Sequence, residues 1–140
     1  MNTWQLKLKK KGWILVAVGF LLAGLCGTVC AQAQEPAPGK TVEAKKFQRL
    51  MKKKNAVLLD VRTIEEYKEG HIPGSQQIDV LKADDFKARI AALDKNKTYL
   101  LYCRSGKRSR DAMAILQGSG FTKLYDLAGG FSAWPGQKEK

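Results

Sequence analysis

The sequence predicts an α/β domain in which a mostly parallel sheet carries helices on both faces. Two observations predict it. Short continuous apolar runs, Ala56-Val57-Leu58-Leu59 and Tyr99-Leu100-Leu101-Tyr102, have the character of strands covered on both sides. Segments of helical apolar spacing alternate with them, and no hairpin turn joins neighbouring runs, so the connections must be crossovers. The chain has 140 residues, enough for one such domain and too few for two ordinary ones.

The elements follow in order. Lys7, Lys9, Lys10 and Lys11 precede an uncharged apolar stretch, residues 14–25, and then Ala31-Gln32-Ala33. That order is a secretory signal peptide over residues 1–33, cleaved before Gln34. The uncharged residues 12–34 are also long enough to cross a bilayer as an uncleaved anchor. A short apolar core followed by a small-residue cleavage site favours removal. Lipid attachment takes a small residue before the cysteine, whereas Leu25 precedes Cys26 and Val29 precedes Cys30. The expected location is periplasmic or secreted, with membrane attachment only if the leader is retained. Residues 34–40 form a polar, proline-containing tether, residues 41–136 the domain and residues 137–140 a tail.

Within the domain, residues 42–51 place Val42, Phe47, Leu50 and Met51 near helical spacing, and Lys52-Lys53-Lys54 closes this helix with a solvated, dipole-compatible end. Asp60-Val61-Arg62 follows the first apolar strand, and Thr63 caps a short helix with Glu65 and Glu66 in its first turn. Residues 70–75 are a turn, and residues 76–80 a short strand. Phe86, Ile90 and Leu93 mark a helix over residues 84–93. Residues 98–102 form a strand, residues 109–117 a helix with Ala112, Ile115 and Leu116 inward, and residues 121–127 contain a further strand. Gly129-Gly130 turns the chain into a segment whose Phe131 and Trp134 serve as core or lid.

The formal net charge is +12, from 25 basic and 13 acidic residues. Removing the four leader lysines leaves 21 against 13, or +8. No basic helix interleaved with aromatics is present, which argues against a nucleic-acid partner. Cleavage also removes Cys26 and Cys30, leaving Cys103 as the sole thiol. Structural cysteines of exported proteins come in pairs, so a single one reads as reactive.

Cys103 opens the segment Cys103-Arg104-Ser105-Gly106-Lys107-Arg108-Ser109, between a buried strand and a helix. Loop N–H groups and the positive helix end then converge on the sulfur and favour thiolate, helped by three cations. The charged, glycine-containing surroundings argue against burial of this cysteine. Arg108 closes the loop as an anion binder and brace, because a solvated arginine suits a helix start poorly. Arg104 and Lys107 point outward to attract and hold an anionic substrate. Ser105 and Gly106 shape the loop, and Ser109 is either a helix cap or a substrate contact. Asp60 and Arg62 lie at a strand's C-terminal end, where open α/β sheets place their sites. One cysteine and one histidine do not make a usual zinc cage, so no metal is expected.

Three ordered motifs resemble rhodanese domains. The first is Leu59-Asp60-Val61-Arg62 with Glu66-Tyr67 and Gly70-His71-Ile72-Pro73-Gly74-Ser75. The second is residues 102–109. The third is Gly120-Phe121, Tyr125, Leu127, Gly129-Gly130-Phe131 and Ala133-Trp134. The likeness spans residues 41–134 and is greatest to small single-domain exported thiosulfate sulfurtransferases. It implies a five-stranded sheet, a persulfide on Cys103, no cofactor, and support of the active loop by Asp60 and Arg62. It also implies a small anionic sulfur donor such as thiosulfate and a thiophilic acceptor such as cyanide or a thiol. The sequence departs from the pattern at Ser75, where alanine is usual, and Lys107 occupies a variable position. His71 invites a Cys/His dyad, but its setting in Gly-His-Ile-Pro-Gly reads as a structural turn. Two alternatives stand beside the enzyme: a non-catalytic or sulfur-carrying module, and a phosphatase or arsenate reductase on the same fold. The latter use five residues between cysteine and arginine, whereas four separate Cys103 from Arg108.

Overall fold

A computed structural model describes residues 39–140; the leader and residues 34–38 of the tether lie outside the described part. Five strands and four helices alternate along it. They are β1 (Lys40–Val42), α1 (Ala44–Met51), β2 (Ala56–Asp60), α2 (Ile64–Glu69), β3 (Gln76–Gln77), α3 (Ala83–Ala91), β4 (Thr98–Tyr102), α4 (Lys107–Gly118) and β5 (Leu124–Leu127). A 3-10 turn, Gly130–Ala133, follows β5. The strands form one sheet in the order β1-β5-β4-β2-β3, and every pairing is parallel. The expected α/β fold with a five-stranded parallel sheet is therefore present.

Alternation along the two inner strands divides the core. Leu59 of β2 and Tyr99 and Leu101 of β4 point to the side covered by Phe86 and Ile90 of α3 and Ala112 and Leu116 of α4. Leu58, Leu100 and Tyr102 point to the other side, onto Phe47 and Leu50 of α1 and Trp134 beyond the 3-10 turn. Both faces are covered, which is why these runs are apolar without a break. Cys103 continues the alternation of β4 and falls on the α3/α4 side with Leu101. Helix α2 buries no residue and instead sets polar groups along the C-terminal edge of the sheet.

The edges differ from expectation. Lys40, assigned above to the tether, is the first residue of β1, paired with Tyr125, and Val42 belongs to this strand rather than to the helix that begins at Ala44. The strand expected over residues 76–80 is two residues long, because Ile78 N–H turns to Asp60 O and Val80 N–H to Val61 O without extending the ladder. Near the end of the chain, Glu139 pairs its backbone with His71 in both directions, at 2.8 and 2.9 Å.

Candidate active site

The C-terminal ends of β2 and β4 lie side by side, with Asp60 opposite Tyr102 in the register. This brings Asp60, Arg62 and Cys103 to one edge of the sheet. After Tyr102 the chain folds into a tight loop and enters α4 at Lys107, two residues earlier than the spacing suggests. Gly106, at φ +96°, caps the helix; a side chain would resist that angle. Ser109 is therefore not the cap. It lies in the first turn, fully buried, with its hydroxyl donating to Cys103 Sγ at 3.5 Å. Gly106 N–H donates to the same sulfur at 3.1 Å.

Cys103 is 1 % exposed, contrary to the expectation that its charged neighbours keep it at the surface. The reason is the alternation of β4, which turns the sulfur inward while Arg104, Ser105 and Lys107 remain exposed. Burial pushes the thiol's pKa up. The Ser109 hydroxyl and the N–H groups of Ser109, Ser105 and Gly106 more than offset this, and the thiol lies below its ordinary value.

Arg108 is braced rather than free. Its Nη1 and Nη2 donate to the two carboxylate oxygens of Glu66, at 2.7 and 2.8 Å. The misfit of a cation at a helix start is thus answered by an acid from α2. Glu66 also closes a capping box with Thr63, which fixes α2 at its own first turn. The hydrogen bond from Arg108 is the main cause that holds the Glu66 carboxyl below the usual carboxylate range.

Asp60 and Arg62 pair with each other. Arg62 Nη2 lies 2.6 Å from Asp60 Oδ2, and Arg62 Nε and backbone N–H reach Asp60 Oδ1, both at 2.9 Å. Arg62 Nη2 also donates to Gly70 O at 2.7 Å. Neither side chain bonds the Cys103 loop directly. The link is Phe131: the Arg62 guanidinium sits 4.2 Å from its ring centre, and its N–H donates to Cys103 O at 2.8 Å. Gly130 permits that approach, since a Cβ there would lie 2.5 Å from Cys103 O.

His71 serves the turn. Its Nδ1 meets Tyr67 O at 3.1 Å, its ring stacks on Tyr67 at 3.7 Å and its Nε2 lies 3.2 Å from Glu139. Ser75, at the departure from the family pattern, has its hydroxyl 3.0 Å from the Tyr102 hydroxyl, which also accepts Ile72 N–H at 3.1 Å. A cavity of about 330 Å³ opens beside the loop, lined among others by Arg62, Glu66, Glu69, Arg104, Phe131 and Lys138.

Sequence reasoning missed two acids. Glu66 is legible as a first-turn residue and as part of the first motif, but not as the partner of Arg108, which lies 42 positions away. Asp126 is a fully buried acid in β5, against the loop: a Cβ on Gly106 would lie 3.9 Å from Asp126 Oδ2. A lone carboxylate in the run Leu124-Tyr125-Asp126-Leu127 was its only signal.

Known proteins are similar to this chain in sequence and fold. The family model for the rhodanese-like domain matches residues 43–137. The thiosulfate sulfurtransferase GlpE of Pseudomonas savastanoi pv. phaseolicola is 37 % identical over 84 residues, 60 % of this chain and 76 % of that protein. A probable adenylyltransferase/sulfurtransferase, MoeZ of Mycobacterium tuberculosis, is 31 % identical over 81 % of this chain, which spans only 29 % of that longer protein. The solution structure of a rhodanese-like domain from Anabaena sp. superposes with a TM-score of 0.63 at 25 % identity, covering 73 % of this chain and 78 % of that one. Fold, loop and sequence agree: the chain belongs to the rhodanese-like domain family.

Proposed function

We propose that the protein is a sulfurtransferase that carries a sulfane sulfur on Cys103, taking it from thiosulfate or a similar anionic donor. The Cys103 thiolate attacks the outer sulfur of thiosulfate, the S–S bond of the donor breaks, and sulfite leaves with the electron pair. The enzyme then holds a Cys–S–S⁻ persulfide, and a thiophilic acceptor, cyanide or a thiolate, removes the terminal sulfur and restores the thiolate. The kinetics are ping-pong. The observation that carries this reading is the buried Cys103 sulfur facing the Gly106 N–H at 3.1 Å and the Ser109 hydroxyl at 3.5 Å. Such a ring of donors stabilises both a thiolate and a terminal persulfide sulfur, and no general base is required. Arg104 and Lys107 attract the donor's sulfonate end, while Arg108 holds the loop through Glu66. The adjacent cavity, with Arg62, Arg104 and Lys138, is where an acceptor larger than cyanide approaches. The similarity to GlpE supports thiosulfate as donor.

Mass spectrometry of the protein after thiosulfate treatment tests the proposal. The expected result is a gain of one sulfur on Cys103, removed by cyanide. Cys103→Ser should abolish turnover and leave the thermal unfolding midpoint close to that of the parent. Turnover surviving in that variant, or a free thiol that gains no sulfur, would overturn the assignment. The leader is proposed to direct export and to be removed before Gln34; N-terminal sequencing of exported material should begin at that residue.

A further inference from the structure

Residues 137–139 are tied to the domain. Trp134 Nε1 donates to Gln137 O at 3.0 Å, and the backbone of Glu139 pairs with that of His71 in both directions. The Glu139 carboxylate adds Gly74 N–H at 3.4 Å and His71 Nε2 at 3.2 Å. Lys138 stands between these anchors, just past residues 43–137, the span shared with the family. Its Nζ lies 4.6 Å from the centre of the Phe131 ring, and the residue lines the cavity beside the Cys103 loop. Arg62 lines the same cavity and sits 4.2 Å from the same ring centre. Asp60 neutralises Arg62 and takes its Nε and Nη2, and Gly70 O takes Nη2 as well. No described residue accepts from Arg62 Nη1. That atom is not sealed in either, since Asp126 Oδ1 is the one buried side-chain polar atom without a partner among the described residues. The guanidinium, 3 % exposed, thus keeps two unspent N–H donors that open on the cavity.

Lys138 and Arg104 supply the charge. Neither has a carboxylate at ion-pair distance among the described residues. Of the two acids on the cavity wall, Glu66 is taken by Arg108, and only the exposed Glu69 opposes the two cations. The volume, about 330 Å³, suits a small organic molecule better than a diatomic ion. We propose that Lys138 selects the sulfur acceptor: together with the Arg62 Nη1 donors it holds the carboxylate of a small acidic thiol, whose methylene stem lies against Phe131. The inference deepens the reading above and rests on it for the transfer step. The acceptor's thiolate attacks the terminal sulfur of the Cys103 persulfide. The S–S bond to Cys103 breaks, its electron pair returns to Cys103 Sγ as thiolate, and the acceptor leaves as a persulfide anion. Charge and atoms balance, and no further reactant is needed.

Steady-state transfer from thiosulfate by the full chain tests this, with mercaptoacetate compared against the uncharged mercaptoethanol and the cationic cysteamine. Lys138 is exposed, so its replacement leaves the core intact. In Lys138→Gln the ratio of kcat/KM for mercaptoacetate to that for mercaptoethanol should fall about three- to fivefold, through KM. Lys138→Glu should lower the ratio further and move the preference toward cysteamine. A ratio unmoved in both variants overturns the inference. So does an equal fall in kcat/KM for thiosulfate, which ping-pong kinetics separate from the acceptor; Lys138 would then draw in any anion. A second measurement needs no turnover. Glycolate, the oxygen analogue of mercaptoacetate, is titrated into isotope-labelled protein and followed by NMR. It should shift the Arg62 side-chain N–H and the Ser132 amide in the parent and far less in Lys138→Glu. An absence of shifts in the parent overturns the inference. A protein that takes up no sulfur but shows these shifts defeats only the transfer reaction. One that takes up sulfur with a preference blind to Lys138 defeats only the role of Lys138.

Discussion

Arg62 is a guanidinium taken almost wholly out of water, and Asp60 is the reason it can be. The pair touches no reacting atom, so its contribution lies in holding Gly70 and Phe131 against the site. Opposite charges buried together do little for net stability, but removing one leaves the other uncompensated. Asp60→Asn should therefore lower the unfolding free energy by about 3–5 kcal/mol, read by chemical denaturation. A loss under about 1 kcal/mol would mean that water already reaches Arg62. Their position in the sequence and the family resemblance marked these two residues as belonging to the site, and the structure does place them at the expected strand end. That they bond each other rather than the loop was not legible, because Phe131, the intermediary, lies 69 positions after Arg62.

At the scale of elements, α2 and α4 are joined by the Glu66–Arg108 clamp, which is about one quarter exposed on each side. Glu66→Gln should cost about 1–2 kcal/mol at neutral pH, since one charged, two-pronged hydrogen bond is lost. The folded pKa of Glu66 is lowered, so its contribution is complete above the unfolded value of about 4.3 and fades as pH falls through the lowered folded value. The gap in unfolding free energy between parent and variant should accordingly be constant from neutrality to about pH 5 and close in stronger acid; a gap that widens in acid would contradict the assignment. The same scale shows why some elements were readable. β2 and β4 announce themselves because both of their faces are buried. β1, of sequence Lys-Thr-Val, has no such pattern and exists because β5 offers it a partner, so only tertiary contact reveals it. The early start of α4 has a like origin: Gly106 decides it through its backbone angle, which no hydrophobic period records.

Among the described residues the excess of positive charge is concentrated in exposed lysines and in the loop itself, so the doubly charged donor proposed above would be drawn in from a distance. Raising ionic strength shortens the reach of that attraction from about 30 Å at 0.01 M to about 3 Å at 1 M. Thiosulfate kcat/KM should fall several-fold over that range, with the loss in KM and little change in kcat. Insensitivity to salt would show that capture is governed by contacts inside the loop. Cys103, the proposed nucleophile, stands at the end of β4, the middle strand of five, every residue of which is buried. Fraying begins at rims, here the three-residue β1 and the two-residue β3, and must cross another strand before it reaches the middle. Amide exchange at Leu100, Leu101 and Tyr102 should then proceed only through global unfolding. Heating should extinguish activity and native structure together, with no warm, folded, inactive form in between.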